Sequence, residues 1–140
     1  MIEDPRVTAL DDHYYKGSLN FDQFVLGATL AASAYLAQTQ RYAQLGWNEE
    51  TLLLLPLLVL VLSAWLGFKR IAWTIHLLKM NARYLELCAG NPGIDFSKVL
   101  EATKEIGDKT GFFYRWRNRT IFLAFACHIG VKLASTYPIF

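Results

Sequence analysis

The feature that most constrains this chain is an uncharged, strongly apolar run over 51–68, which reads TLLLLPLLVLVLSAWLGF. Its 18 residues match a membrane-spanning helix, which needs roughly 17–25 residues. A core helix of a water-soluble domain would carry a polar face at helical spacing, and this run has none. The run therefore predicts a transmembrane helix, with Pro56 in its first turns, where a proline can start or kink the helix.

Two further segments are long enough to cross a bilayer. In the segment 21–40, 18 uncharged residues separate Asp22 from Arg41, and its many alanines and hydroxyl residues are typical of helices that pack on other helices. The segment 120–138 is mostly apolar but contains His128 and Lys132, and as a helix it would rise ~28 Å. We therefore predict an all-α integral membrane fold with three transmembrane helices.

Composition excludes several classes of protein. The chain has 140 residues, of which 54% are hydrophobic and 19% charged, so it is one membrane domain over 1–140 and not a disordered chain. The net charge of +2 argues against a nucleic-acid partner. The two cysteines are too few for a disulfide framework. The acidic first 20 residues do not resemble a secretory signal.

The distribution of basic residues predicts an orientation. Twelve of the 14 lysines and arginines fall in the tail 1–20 or in 69–119, against Arg41 and Lys132 elsewhere. By the positive-inside rule, these two segments face the cytoplasm, whereas the loop 41–50 and the carboxyl terminus lie outside the inner (plasma) membrane. Aromatic and basic side chains before span three are expected to anchor it among lipid headgroups. They are Arg115, Trp116, Arg117 and Arg119.

The segment 69–119 is expected to form a basic helical cap. The helix of span two should continue to about Leu87, because an apolar row recurs at spacings of three and four residues. This row, called the seam below, comprises Ile71, Ile75, Leu78, Ala82 and Leu85. A second row comprises Trp73, Leu77, Met80, Tyr84 and Leu87. The seam could lie in the membrane interface, pack on a later helix of the chain, or pair with copies of itself.

After this long helix, Gly90–Gly93 predicts a turn. The segment 96–106 then reads as a short amphipathic helix that Gly107 ends. Asp108–Gly111 is similar to the phosphorylation core of P-type ATPases, but the chain lacks room for a nucleotide-binding domain, so we expect an ordinary turn there. Gly-rich phosphate loops are absent from the sequence. We expect no catalytic residue, no metal site and no cofactor.

Polar residues share one face of span three, with His128, Lys132 and Ser135 at positions i, i+4 and i+7. Ionisable residues within a membrane usually face a bundle interior or water, so this strip could line a pore. Alternatively, Lys132 reaches outward to headgroups, to Glu49 or Glu50, or to the terminal carboxylate. A metal site at Cys127 and His128 is disfavoured, because adjacent residues on a helix point in different directions.

Small residues at four-residue spacing predict close helix packing. They are Gly27 with Ala31, Ala28 with Ala32 and Ser33 with Ala37 in span one, and Ala126, Gly130 and Ala134 in span three. The sequence leaves open whether span three meets helices of its own chain or of a neighbour.

Two functions fit these features. The first is a non-enzymatic accessory or interaction subunit of a larger membrane complex, with the lipid bilayer and either copies of itself or other membrane subunits as its partners. The second is a self-assembling channel or toxin-like effector with a pore lined by span three. The membrane hairpin that runs into a long helix over 21–90 is loosely similar in architecture to SLATT-type two-span effectors, and this resemblance implies the second function.

Overall fold

The computed structural model describes residues 5–42, 44–90 and 97–137, and over these residues it consists of three long α-helices with no strand. Helix α1 is Pro5–Thr39, α2 is Glu49–Gly90 and α3 is Ser97–Thr136. The all-helical prediction is confirmed. At 35, 42 and 40 residues, the helices are each ~50–60 Å long. Helix α2 packs against both others, more extensively against α3 than against α1.

One of these helices, α2, is long and apolar enough to cross a membrane: within Glu49–Glu86, a window of 18 residues has a mean hydropathy of 2.4. Within the described ranges, neither α1 nor α3 contains a stretch of 18 residues that is apolar enough to cross a membrane. Small and polar residues dilute the apolar content of α1, and lysines and arginines interrupt α3. The structure therefore supports one candidate span, and the prediction of three spans is not confirmed.

The predicted short helix that ends at Gly107 is wrong. Helix α3 runs without interruption through Gly107 and through the expected turn at Asp108–Gly111. No described glycine has a positive φ, so neither Gly107 nor Gly111 acts as a helix C-cap. Ile106 is buried, and such packing outweighs the low helix propensity of glycine, which costs only about 1 kcal/mol.

Other helix boundaries also differ from the predicted ones. Helix α1 begins at Pro5, so the predicted tail and span one form one continuous helix over the described residues. Helix α2 extends to Gly90, slightly beyond the predicted Leu87. The rest of the predicted turn, residues 91–93, and Phe96 lie outside the described residues.

Small side chains occupy the positions where the helices approach one another. These buried residues are Thr29, Ser33, Ser63, Ala64, Gly67, Thr120 and Ala124. Small residues let helix backbones come close, and hydroxyl groups keep their hydrogen bonds by donating to backbone carbonyls, mostly of their own helix. The Thr29 hydroxyl donates to the Val25 carbonyl at 2.7 Å, and the Ser33 hydroxyl donates to the Thr29 carbonyl at 2.8 Å.

The small-residue rows predicted from the sequence overlap this set only at Ser33. Ala32 and Ala37 are half-buried, and the other members are exposed: Gly27, Ala28, Ala31, Ala126, Gly130 and Ala134. A Cβ atom added at Gly27 or Gly130 would have no neighbour within 4 Å. The exposed rows of Gly27 and of Gly130 therefore do not join the described helices of this chain to one another, and their contact with a neighbouring chain stays a prediction.

The two apolar rows of α2 differ from each other in burial. Trp73, Leu77, Met80 and Tyr84 are half-buried, and the Lys109 ammonium of α3 lies 5.3 Å from the centre of the Trp73 ring. In the seam, only Ile71 is half-buried, whereas Ile75, Leu78, Ala82 and Leu85 are exposed. The second row thus faces the rest of the bundle, and the described helices leave most of the seam uncovered.

We expect Gly67→Leu to destabilise the bundle by about 1–3 kcal/mol, the usual cost of overpacking. A Cβ atom at Gly67 would lie 3.2 Å from Arg117 Cδ and 3.4 Å from Leu26 Cδ1, so a leucine would separate three helices. The matched control is Gly27→Leu, which enters open space. The free energy of unfolding in detergent micelles checks this expectation, and equal stability of the two variants would contradict the described packing.

Candidate functional site

A buried carboxylate from α1 is shared by one arginine from each of the other two helices. Arg117 Nη1 donates a hydrogen bond to Asp22 Oδ1 at 2.8 Å, and Arg70 Nε lies 2.6 Å from Asp22 Oδ2. Asp22 and Arg117 are each 1% exposed, and the Arg70 side chain is 12% exposed. This ionic cluster therefore ties all three helices together inside the bundle.

Neighbouring groups from α2 and α3 hold the cluster in place. Arg117 donates from Nε and Nη2 to Asn118 Oδ1 at 3.2 and 3.1 Å. The Tyr114 ring lies 4.0 Å from Arg70 Cζ and 5.3 Å from Arg117 Cζ, so it can stabilise both cations through its π face. The Ser63 hydroxyl donates to the Arg117 backbone carbonyl at 3.1 Å, which joins α2 to α3 directly beside the cluster.

The cluster is not electrically neutral. Two guanidinium groups share one carboxylate, which leaves one positive charge in a largely dehydrated place. Arg70 Nε and Nη1 are buried and have no hydrogen-bond acceptor of suitable geometry among the described residues. Buried charges need close opposite charges and full hydrogen bonding, so Asp22 is indispensable to both arginines.

Sequence reasoning missed this cluster, although the helical spacing contains a signal for it. Each charged residue stands seven positions from a buried small residue on the same helix. The three pairs are Asp22 with Thr29, Ser63 with Arg70, and Arg117 with Ala124. Residues seven apart lie on one helix face two turns apart, so all three charges belong to the inward face of their helices.

The predicted headgroup anchor is therefore only partly on the surface. Arg115, Trp116 and Arg119 are exposed, and Arg119 Cζ lies 5.8 Å from the centre of the Trp116 ring. Arg117 is a correction to that prediction, because it turns inward to Asp22. The side chain of Arg117 also packs against Gly67, so it contributes to helix packing as well as to the charge pair.

A second polar site lies at the opposite end of the apolar segments, where the loop joins α1 to α2. It is a cleft of about 510 Å³. Its polar lining consists of Tyr35, Thr39, Gln40, Arg41, Glu49, Glu50, His128 and Lys132. The Gln40 amide donates to the Glu50 backbone carbonyl at 2.9 Å and so holds the ends of α1 and α2 together. The cleft lining thus contains both cationic and anionic groups.

The residues of the polar strip predicted for span three have different surroundings in the structure. Lys132 Nζ donates to Glu49 Oε1 at 2.7 Å, with the two side chains 53% and 38% exposed. The Ser135 hydroxyl donates to the Lys132 backbone carbonyl at 3.1 Å. His128 lines the cleft, and its Nδ1 atom is buried with no hydrogen-bond partner among the described residues. Lys132 thus makes the outward contact with Glu49 that one of the two sequence interpretations named.

The remaining side-chain ion pairs of the described residues lie on the surface. Lys16 pairs with Asp12 at 2.7 Å, and Lys109 pairs with Glu105 at 2.6 Å, both at i,i+4 spacing. The hydrogen bond from each lysine lowers the pKa of its carboxyl partner. Exposed pairs of this kind contribute little to stability, so they serve as controls for the buried cluster.

In the described part of the chain, no group of three or more His, Cys, Asp or Glu side chains could hold a metal ion. No protein-family model matches the chain, and no curated protein or solved structure is significantly similar to it.

We expect Asp22→Asn to destabilise the bundle by about 3–5 kcal/mol, because it leaves two buried guanidinium groups without a counter-charge. The matched control is Asp12→Asn, which makes the same change in the exposed pair with Lys16. Denaturant titration in detergent micelles, followed by circular dichroism, measures the difference. If the two variants unfolded at the same denaturant concentration, the cluster would not hold the helices together.

We expect Lys132→Gln to leave the unfolding midpoint, ion flux through reconstituted vesicles and cell growth unchanged. Lys132 and Glu49 are both substantially exposed, and water and salt screen such pairs. Glu49→Gln is the partner control and should behave in the same way. A changed conductance in Lys132→Gln, with folding intact, would instead favour a pore lined by His128 and Lys132.

Proposed function

We propose that the chain is a non-enzymatic integral membrane protein that acts as an accessory subunit and binds other membrane subunits through its helix faces. The observation that carries the proposal is the arrangement of charge and apolar surface along the bundle. Polar and charged groups are gathered in an internal cluster and at the loop end, whereas large apolar side chains cover much of the outside between them.

An uncharged band separates the two polar layers. The chain has 18 consecutive uncharged residues between Asp22 and Arg41, 18 between Glu50 and Lys69, and 12 between Arg119 and Lys132. Eighteen helical residues rise ~27 Å, close to the ~30 Å hydrocarbon core of a bilayer. In the proposed placement, Lys132 reaches the loop-end layer by extending its side chain.

The outside of this band is apolar. Exposed large side chains within it include Phe24, Leu30, Leu55, Leu58, Phe122 and Leu123. The interior holds small and hydroxyl residues such as Ser63 and Thr120 together with Leu60 and Leu66, and the buried charge pair of Asp22 and Arg117 lies at its edge. A chain that exposes many large apolar side chains in this band, and buries hydroxyl groups and an ion pair, suits surroundings of lipid tails and other helices.

The helices continue well beyond the band, on the side of the ionic cluster. This projecting part is about 20 residues of each helix, or ~30 Å, and carries the exposed members of the seam. In the proposed orientation it lies in the cytoplasm, because the basic residues concentrate there. An apolar face that projects into water needs a partner, and the seam is therefore the proposed contact with the neighbouring subunit.

The proposal is tested by extracting the full chain from its native membrane in a mild detergent and measuring the mass of the intact complex. We expect a complex that contains other subunits in a fixed ratio. A whole-number multiple of 16.0 kDa would instead indicate a homo-oligomer and would favour the channel or effector function. A monomer of 16.0 kDa would contradict both.

We expect the double variant Leu78→Gln, Leu85→Gln to release the chain from its complex while leaving its helicity unchanged. Both side chains are exposed on the seam, so their replacement removes apolar contact area without disturbing the described bundle. The matched control is Lys79→Gln, which lies next to Leu78 on the polar side of α2. Blue-native electrophoresis reports the size of the complex, and an unchanged size in the double variant would exclude the seam as the contact.

A further inference from the structure

We propose that the cleft beside Arg70 binds a singly charged phosphate group, such as the phosphodiester of an anionic phospholipid headgroup. The cleft has a volume of about 310 Å³. Its lining includes Tyr14, Ser18, Arg70, Thr110, Gly111 and Tyr114, and it contains no carboxylate. It therefore lies between the projecting parts of α1, α2 and α3 and is open to one side of the ionic cluster.

The first argument is charge. The cluster holds two guanidinium groups against one carboxylate, and the Arg70 side chain is only 12% exposed. Arg117 directs its donors to Asp22 and Asn118. Arg70 pairs with Asp22 through Nε at 2.6 Å, and its buried Nη1 has no hydrogen-bond partner among the described residues. The cluster thus has one positive charge in excess, and one anion of charge −1 beside Arg70, the arginine that lines the cleft, would neutralise it.

The second argument is the chemistry of the lining. Guanidinium groups bind phosphate oxygens through short, charge-assisted hydrogen bonds. The hydroxyl groups of Tyr14, Ser18 and Tyr114 are further possible donors for such oxygens. The Thr110 hydroxyl already donates to the Ile106 carbonyl at 2.9 Å, so it can contribute only as an acceptor or after rotation.

The third argument is position, and it rests on the membrane placement proposed above. Arg70 follows the end of the uncharged run 51–68 by two residues, which is the depth at which lipid phosphates lie. Tyrosines and tryptophans concentrate at this depth in membrane proteins. Within that placement, the headgroup phosphate of the cytoplasmic leaflet reaches the cleft from the side.

The experiment measures lipid binding to the purified full chain by native mass spectrometry, with phosphatidylglycerol and phosphatidylcholine of identical acyl chains as probes. We expect phosphatidylglycerol to bind more tightly than phosphatidylcholine, and Arg70→Gln to weaken the former by about tenfold, the effect of one lost charge-assisted contact. This variant leaves Asp22 and Arg117 as a balanced pair, so it should fold. The matched control is Lys69→Gln, which removes an exposed charge from the adjacent position.

A second variant tests the cleft without changing any charge. At Gly111, an added Cβ atom meets nothing within 4 Å, so Gly111→Leu should fold and place its side chain in the cleft. We expect it to weaken phosphatidylglycerol binding as much as Arg70→Gln does. Gly107→Leu, at another open glycine one turn away that does not line the cleft, is the control.

Inorganic phosphate distinguishes the source of the ligand. If phosphate displaces phosphatidylglycerol from the wild-type chain and raises its melting temperature, but does neither for Arg70→Gln, the site takes phosphate from solution. If wild type, Arg70→Gln and Gly111→Leu bind phosphatidylglycerol equally, the proposal is overturned. Because binding is measured on the isolated chain, a failure to find partner subunits would leave this result unaffected.

Discussion

Asp22 is the group on which the arrangement of the three helices depends. A buried guanidinium is tolerated only beside an opposite charge, and both Arg70 and Arg117 find that charge on this one carboxylate. Contacts of 2.6 and 2.8 Å fix the helices in two ways at once. They set the rotation of each helix about its axis, and they set how far each helix slides along its neighbours.

The small buried residues make this ion sharing possible. Ser63, Gly67 and Thr120 allow α2 and α3 to approach until the Ser63 hydroxyl reaches the Arg117 backbone carbonyl at 3.1 Å. The Arg117 stem then passes directly over Gly67. Larger residues at these positions would move the guanidinium away from Asp22. Close packing and charge pairing are therefore parts of one arrangement, and neither would persist without the other.

The sequence predicted the helical class and the apolar run of α2, because these depend on local composition over many residues. It did not predict that α3 is continuous. Glycines such as Gly107 and Gly111 weaken an isolated helix, but burial of the neighbouring Ile106 in the bundle stabilises the helix here. It placed small-residue packing on rows that include Gly27 and Gly130, where four-residue spacing occurs, although Ser33 is the only member of those rows that is buried. Several faces of each helix could turn inward. Which one does so depends on how well it fits the neighbouring helices, and the pattern along a single helix does not give that fit.

The candidate site shows the same limit. Lys132 has few acidic groups within reach, so its pairing with Glu49 could be named in advance as one alternative. Asp22 and Arg117 lie 95 positions apart and each resembles an ordinary residue at the end of a span. Only the seven-residue offset to Thr29 and Ala124 marks them as internal, and that offset becomes meaningful once the small residues are known to be buried.

That offset also restricts how such a chain can change over evolutionary time. Each residue added between Ser63 and Arg70 would turn the arginine by about 100° around the helix and carry it out of reach of Asp22. Additions in the loop after α1, or beyond the helix ends, leave the offset intact. Asp22 in particular cannot change alone, since its replacement leaves both arginines without a counter-charge. Length variation is therefore confined to the ends of the bundle, while its middle is held in a common register.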